Sequence, residues 1–205
     1  MNSYEIQELL KQQKHFFKTQ QTKSYEYRYQ QLETLEQAIK QYESKILEAL
    51  KIDLGKSNTE AYLTEIGFTL SSIRYVKKHL KSWMKRERVK SPVHLFRSDS
   101  YIIREPYGVV YIIGPFNYPF QLLIEPLIGA MSAGNTAIMK PSELTPTVST
   151  VIWQMIDEFF EKDYIAVIEG DREVNQLLLE QHFDYIFFTG STRVAKIVME
   201  KASQH

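Results

Sequence analysis

Three short polar segments of this chain carry residues suited to chemistry on a small molecule. The first runs Gly114-Pro115-Phe116-Asn117-Tyr118-Pro119-Phe120. The second is Lys140-Pro141-Ser142-Glu143, and the third Phe188-Thr189-Gly190-Ser191-Thr192. Asn117 offers a side-chain amide. Held beside a reacting carbonyl, such a donor stabilises a developing oxyanion by about 3 kcal/mol. On spacing alone it reads first as a turn or cap residue before a helix that Pro119 opens. Lys140 and Glu143 set a cation and a carboxylate three residues apart. They are either an exposed ion pair worth below about 1 kcal/mol or a set that hydrogen-bonds a ribose diol. Gly190 and Ser191 leave backbone N–H groups bare at a helix start, which attracts anions. An ordinary capped helix has the same pattern.

Each segment closes a short apolar run and opens onto a helical pattern. The apolar runs are 109–113, 136–139, 165–168 and 185–188. The helical stretches are 119–133, 146–160, about 173–181, and 192–202. Runs apolar on both faces, alternating with helices, imply a parallel sheet covered on both sides. Its crossovers are expected to be right-handed. Open sheets of this kind bind ligands at the carboxyl edge, where all three segments fall. Thr145 followed by Pro146 reads as an N-cap and first helical residue. Asp171 and Glu173 suit a helix N-terminus. Neither a G-x-G-x-x-G fingerprint nor a phosphate-binding P-loop is present in the sequence.

Residues 4–83 read as all helical. Ile6, Leu9, Leu10, Phe16 and Phe17 recur at helical spacing. Leu32, Leu35, Ile39, Tyr42, Ile46, Leu47 and Leu50 form a second stripe that ends near Gly55, a C-cap residue. Ser57 and Glu60 make a capping-box signature. The helix they open carries Leu63, Ile66, Leu70, Ile73, Val76, Leu80 and Trp83. All three stripes read as packing faces. Residues 84–107 break the helical period, and the short runs 93–96 and 101–104 suggest a hairpin or arm. The expected class is therefore α/β: a Rossmann-like open parallel sheet with helices on both faces, preceded by an N-terminal helical segment and a β-arm. The divisions are 1–83, 84–107 and 108–205.

Composition narrows the function. The 205 residues are 43% apolar and 13% aromatic, enough for a packed core. Lys and Arg balance Asp and Glu at 25 each, so no nucleic-acid footprint is expected. The cluster Lys81, Lys85, Arg86, Arg88 and Lys90 reads as a solvated helix end. No apolar run approaches the roughly 20 residues of a membrane helix. The N-terminus does not look like a signal peptide, and the expected location is cytoplasmic. There is no cysteine, hence no disulfide or thiolate metal site. His15, His79, His94, His182 and His205 lack metal-ligand spacing, so no metal is expected.

Taken in order, Gly114 to Phe120, Gly129 to Glu143 and Phe188 to Thr192 resemble the aldehyde dehydrogenase superfamily, in its class 3, fatty-aldehyde branch. Residues 60–67 (Glu-Ala-Tyr-Leu-Thr-Glu-Ile-Gly) and 125–130 (Glu-Pro-Leu-Ile-Gly-Ala) resemble that branch too. The resemblance covers essentially the whole chain. It implies that Asn117 is the oxyanion donor, and that Lys140 and Glu143 hold the adenosine ribose of NAD, with NADP also possible. A carboxylate at 143 disfavours an added 2′-phosphate. Gly190 and Ser191 would flank the pyrophosphate, and Ile113, Gly114, Pro115 and Phe116 would line the nicotinamide side. Ser142, Gly170 and Val194 complete the implied cofactor set. Ala195 stands where family members commonly have Gly.

The resemblance also implies a reaction. A Cys thiolate attacks an aldehyde, hydride passes to NAD(P), and a Glu-activated water releases the carboxylic acid. Family members are more than twice this length and commonly homodimeric, and their Cys and Glu fall beyond residue 205. These 205 residues are accordingly expected to be inactive alone, with the catalytic domain absent. The alternative is a non-catalytic dinucleotide-binding or interaction fragment from a truncated or split gene. A semialdehyde or acyl-CoA reductase on the same fold would need a Cys as well.

Overall fold

The computed structural model describes residues 1–204, so His205 lies outside the described residues. Helix α1 (Ser3–Lys18) begins at a full capping box. Asn2 Oδ1 accepts from the Glu5 N–H, and the Glu5 carboxylate accepts from the Asn2 N–H. Helix α2 (Tyr25–Leu54) starts at Ser24 and stops at Gly55, whose φ of 66° is the left-handed C-cap conformation. Helix α3 (Asn58–Ala61), a π turn over Tyr62–Ile66 and helix α4 (Gly67–Trp83) follow without a break. Ser57 caps this run by accepting from the Glu60 N–H. Ile66, Leu70, Ile73 and Leu80 of the predicted stripe are buried, whereas Leu63 and Trp83 are exposed.

Strands β1 (Glu87–Val89) and β2 (Ser100–Ile102) pair antiparallel. Arg88 is bonded to Asp99, and Arg104 to Glu87, across this pair. Residues 93–96, expected to be extended, instead begin with a 3₁₀ turn over Val93–Leu95. Pro92 has no N–H for a ladder, and its carbonyl accepts from Leu95 N–H at 2.9 Å, closing a local turn.

The second sheet holds β3 (Val109–Ile113), β4 (Thr136–Lys140), β5 (Ile165–Val167) and β6 (Tyr185–Phe188). All are parallel, in the order β5-β4-β3-β6. Helices α5 (Gln121–Ala133), α6 (Pro146–Phe159), α7 (Arg172–Leu179) and α8 (Thr192–Ala202) connect or follow them. The strands split their side chains by parity. Val110, Ile112, Ala137 and Met139 pack with α2, α4, α5 and α6. Val109, Tyr111, Ile113 and Ile138 pack with α1, α7 and α8. From β3 the chain steps outward to β4 and β5, then returns to the far side of β3 as β6. That reversal creates a switch point at the carboxyl ends of β3 and β6, where doubly wound sheets open a crevice.

Thr145 does precede the Pro146 that opens α6, yet its side chain does not cap the helix. Its hydroxyl faces the Ser142 carbonyl. Asp53 at the end of α2 caps instead, accepting from the Val148 N–H at 2.8 Å. Asp171 caps α7 as its sequence position suggests, accepting from the Glu173 and Val174 N–H groups. No helix among the described residues is long and apolar enough to cross a membrane.

Candidate functional site

Strand register brings the three polar segments to one edge. Ile113 pairs with Lys140 on one side and with Phe188 on the other. Neighbouring strands lie about 4.8 Å apart, so the three loops leave the sheet side by side. The edge is tied together by backbone bonds. Gly114 N–H donates to the Lys140 carbonyl at 3.1 Å, and Thr189 N–H donates to that of Ile113 at 3.2 Å. The Gly170 loop joins from β5, where Ile168 N–H donates to the Met139 carbonyl.

Lys140 is 1% exposed, although its Nζ donates to the Pro141 carbonyl at 2.8 Å and to Glu143 Oε2 at 3.2 Å. The Glu143 side chain is 44% exposed. The pair therefore bridges core and surface rather than lying wholly on the surface. Beneath it, Tyr111 donates to Asn175 Oδ1 at 2.7 Å. Burial, with the Glu143 charge adding to it, holds the Tyr111 phenol well above its usual range. Ser142 is buried, and its hydroxyl accepts from the Leu144 N–H.

At β6, Ser191 caps α8 by accepting from the Val194 N–H. The Thr192 and Arg193 N–H groups ahead of it have no partner within the helix. A Cβ on Gly190 would stand 2.5 Å from Phe188 Cζ, so the backbone there is kept bare. Val194 is exposed beside it. Gly170 has φ 153°, and a Cβ there would meet Val174 at 2.5 Å.

The first loop is organised differently. Ile113 and Gly114 are buried, Pro115 is half-buried, and Phe116 and Asn117 are exposed. The Asn117 carbonyl accepts from Lys56 Nζ at 3.0 Å. Among the described residues none hydrogen-bonds the Asn117 side chain, so it does not serve as a helix cap and its amide is open to a ligand. Lys56 and Glu65, which hold this loop, carried no functional signal in the sequence. Lys56 falls between the Gly55 C-cap and the Ser57 capping box, and Glu65 lies in residues 60–67, which carry the family resemblance without a role for that carboxylate.

The edge fits a dinucleotide. It offers an exposed carboxylate beside a buried ammonium for a diol, and bare helix-start N–H groups near Gly190 for a diphosphate. A concavity of about 960 Å³ lies elsewhere, among α1, α2 and the segment before β5, and none of these edge residues lines it. No cluster of three or more metal-ligating side chains occurs among the described residues.

A doubly wound sheet with these loops at its switch point defines a protein of the NAD-binding fold class. Comparison with known proteins is more specific. The aldehyde dehydrogenase family model matches residues 1–205, and the chain belongs to that family. A Staphylococcus aureus relative, 4,4'-diaponeurosporen-aldehyde dehydrogenase, is 59% identical over 192 residues, or 94% of this chain and 42% of its own length. Aldehyde dehydrogenase family 3 member I1 of Arabidopsis thaliana is 44% identical, over 92% of this chain and 34% of its own. A solved structure, the substrate-bound state of Staphylococcus aureus AldH, superposes with a TM-score of 0.96 at 57% identity. It covers 97% of this chain and 43% of that one. The chain thus spans less than half the length of these relatives. Aldehyde dehydrogenases are oxidoreductases that use NAD or NADP.

Proposed function

We propose that residues 1–205 form the cofactor-binding portion of an NAD(P)-dependent enzyme that oxidises aldehydes to carboxylic acids. The observation that carries this reading is the register of Ile113 between Lys140 and Phe188, which gathers the three loops at one switch point. Bound NAD(P) supplies the hydride acceptor. Glu143 accepts from the adenosine ribose hydroxyls and Lys140 holds that carboxylate in place. The α8 start at Gly190, Ser191 and Val194 receives the diphosphate. Ile113, Gly114, Pro115 and Phe116 wall the reacting end, and Ser142 and Gly170 shape the loops beside it. Asn117 donates its side-chain N–H to the substrate oxygen as negative charge develops there. The Staphylococcus aureus relative is named for an aldehyde substrate, which supports the same substrate class here.

The 205 residues contain no cysteine. On this reading they bind cofactor and supply part of the oxyanion site but do not attack the aldehyde, and they are inactive alone. Residues 1–83, 84–107 and 108–205 act as helical support, oligomerisation arm and βα cofactor units. The exposed Val93, Phe96 and Ile103 of the arm suit a homodimer contact. A second reading, a non-catalytic dinucleotide-binding fragment, is favoured by the same lack of cysteine. An aldehyde oxidation assay separates the two when run on the 205 residues and on any longer polypeptide from the same gene. NADH formation by the longer polypeptide alone supports the enzyme, whereas NAD binding with no activity in either supports the fragment. NADH formation by the 205 residues overturns their assigned inactivity.

A further inference from the structure

Lys56 and Glu65 form an ion pair 2.5 Å apart whose side chains are 9% and 0% exposed. Burying two charges is costly unless their remaining hydrogen-bonding capacity is filled. Here it is filled by one loop. Lys56 Nζ donates to the Asn117 carbonyl at 3.0 Å and sits 4.0 Å above the Tyr118 ring. Glu65 Oε2 accepts from the Phe120 N–H at 2.9 Å and from the Gln121 N–H at 3.2 Å.

Glu65 thereby caps α5 from another element, since Phe120 at the N-cap position has no side-chain oxygen to do so. A carboxylate also suits the positive end of that helix. Glu65 lies in the π turn of Tyr62–Ile66. A π turn accommodates one extra residue, and one residue of α-helix is about 100° of rotation. The turn therefore sets the phase at which Glu65 meets α5 while Ile66, Leu70 and Ile73 still face the core.

We infer that Lys56 and Glu65 are positioning residues that clamp the 117–121 backbone and so set the direction of the Asn117 amide. The inference rests on the reading of Asn117 as oxyanion donor. The pair is joined to the loop at Asn117, Tyr118, Phe120 and Gln121, on both sides of Pro119. The loop thus enters α5 with its backbone held at either end, while the Asn117 side chain stays free for substrate.

The test is a double-mutant cycle in the full-length enzyme. Lys56→Met together with Glu65→Gln removes both charges at nearly constant shape. It lowers kcat roughly tenfold, since displacement of a reacting group by an ångström can cost about a hundredfold. Affinity for NAD stays within about twofold, because the pair bonds residues 117–121 and none of the residues assigned to the ribose or diphosphate. In an Asn117→Ala background the same paired change has no further effect on kcat, because no donor is left to position. Equal losses in both backgrounds would mark a merely structural pair and overturn the inference. Full kcat in the paired variant overturns it as well. Full activity in Asn117→Ala removes the donor reading and the inference with it; a loss there, with none in the paired variant, removes the inference alone. Native-state hydrogen exchange needs no substitution. The Phe120 and Gln121 amides exchange as slowly as those of β3, and exchange as fast as at exposed Phe116 contradicts the clamp.

Discussion

Lys140 and Glu143 share a 3.2 Å hydrogen bond that crosses from the core to the surface. The lysine is enclosed at the end of β4, while the carboxylate stands 44% exposed above it. A group presented this way can accept from a ribose diol. On the proposed assignment it also sets negative charge against the 2′-phosphate of NADP. Glu143→Gln keeps an oxygen for Lys140 and removes the charge. A unit charge pair a few ångströms apart in water is worth about 1 kcal/mol, or roughly fivefold in binding. The NADP-to-NAD affinity ratio should rise by about that factor, read by titrating each cofactor.

Asn117 presents a side-chain amide that no described residue occupies. Asn117→Ala in the full-length enzyme should lower kcat by about 10²- to 10³-fold, the loss seen for a single oxyanion donor. Affinity for NAD should be unchanged if, as proposed, the donor serves the substrate and not the cofactor. Steady-state kinetics alongside a cofactor titration check both parts.

Much of this fold is legible in the sequence. Residues 109–113 and 185–188 are strands at the expected bounds, because a short run that is apolar on both faces and bounded by turn residues suits a strand buried between helices. Strand β4 runs one residue further than its apolar pattern, since Lys140 reads as a loop residue but buries its stem and ties its Nζ locally. What stayed hidden depends on long-range partners. Asp53 caps α6 across 95 residues in place of Thr145. Glu65 reaches Phe120 across 55 residues, through a π turn with no sequence mark. Of the site, the segments that reach the carboxyl edge are readable, whereas the contacts of Lys56 and Glu65 with residues 117–121 are not.

Two glycines of α5 should respond oppositely to alanine. Gly134 caps the helix at φ 89°, and a Cβ there would stand 2.6 Å from the Arg28 guanidinium. Arg28 is held by the Thr22 and Ser132 carbonyls and cannot withdraw without losing them. Gly134→Ala should cost about 2–4 kcal/mol. A Cβ on Gly129 would meet nothing within 4 Å. Gly129→Ala should add about 0.5–1 kcal/mol through helix propensity. Denaturant unfolding of the two variants tests the contrast.

Tyr42 on α2 donates to Glu158 on α6 at 2.5 Å. That bond, with burial, pushes the Tyr42 phenol up to about 12. A free phenol ionises near about 10. The raised value means that the unfolded chain loses this proton first. The contribution is complete below pH of about 10 and is lost as pH rises to about 12. Tyr42→Phe should be less stable by about 1 kcal/mol at neutral pH and should lose less stability across that alkaline window. Urea midpoints measured from pH 8 to about 12 compare the two chains against the same tyrosine background.

The most direct test of the cofactor cradle is a titration of the 205-residue chain with NAD, followed by backbone amide shifts. The cradle predicts saturable shifts at Ile113, Gly114, Lys140, Ser142, Glu143, Gly190 and Ser191. The concavity between α1 and α2 should remain unperturbed. Absence of shifts at the carboxyl edge at millimolar NAD, or shifts centred on the α1–α2 concavity, would contradict it.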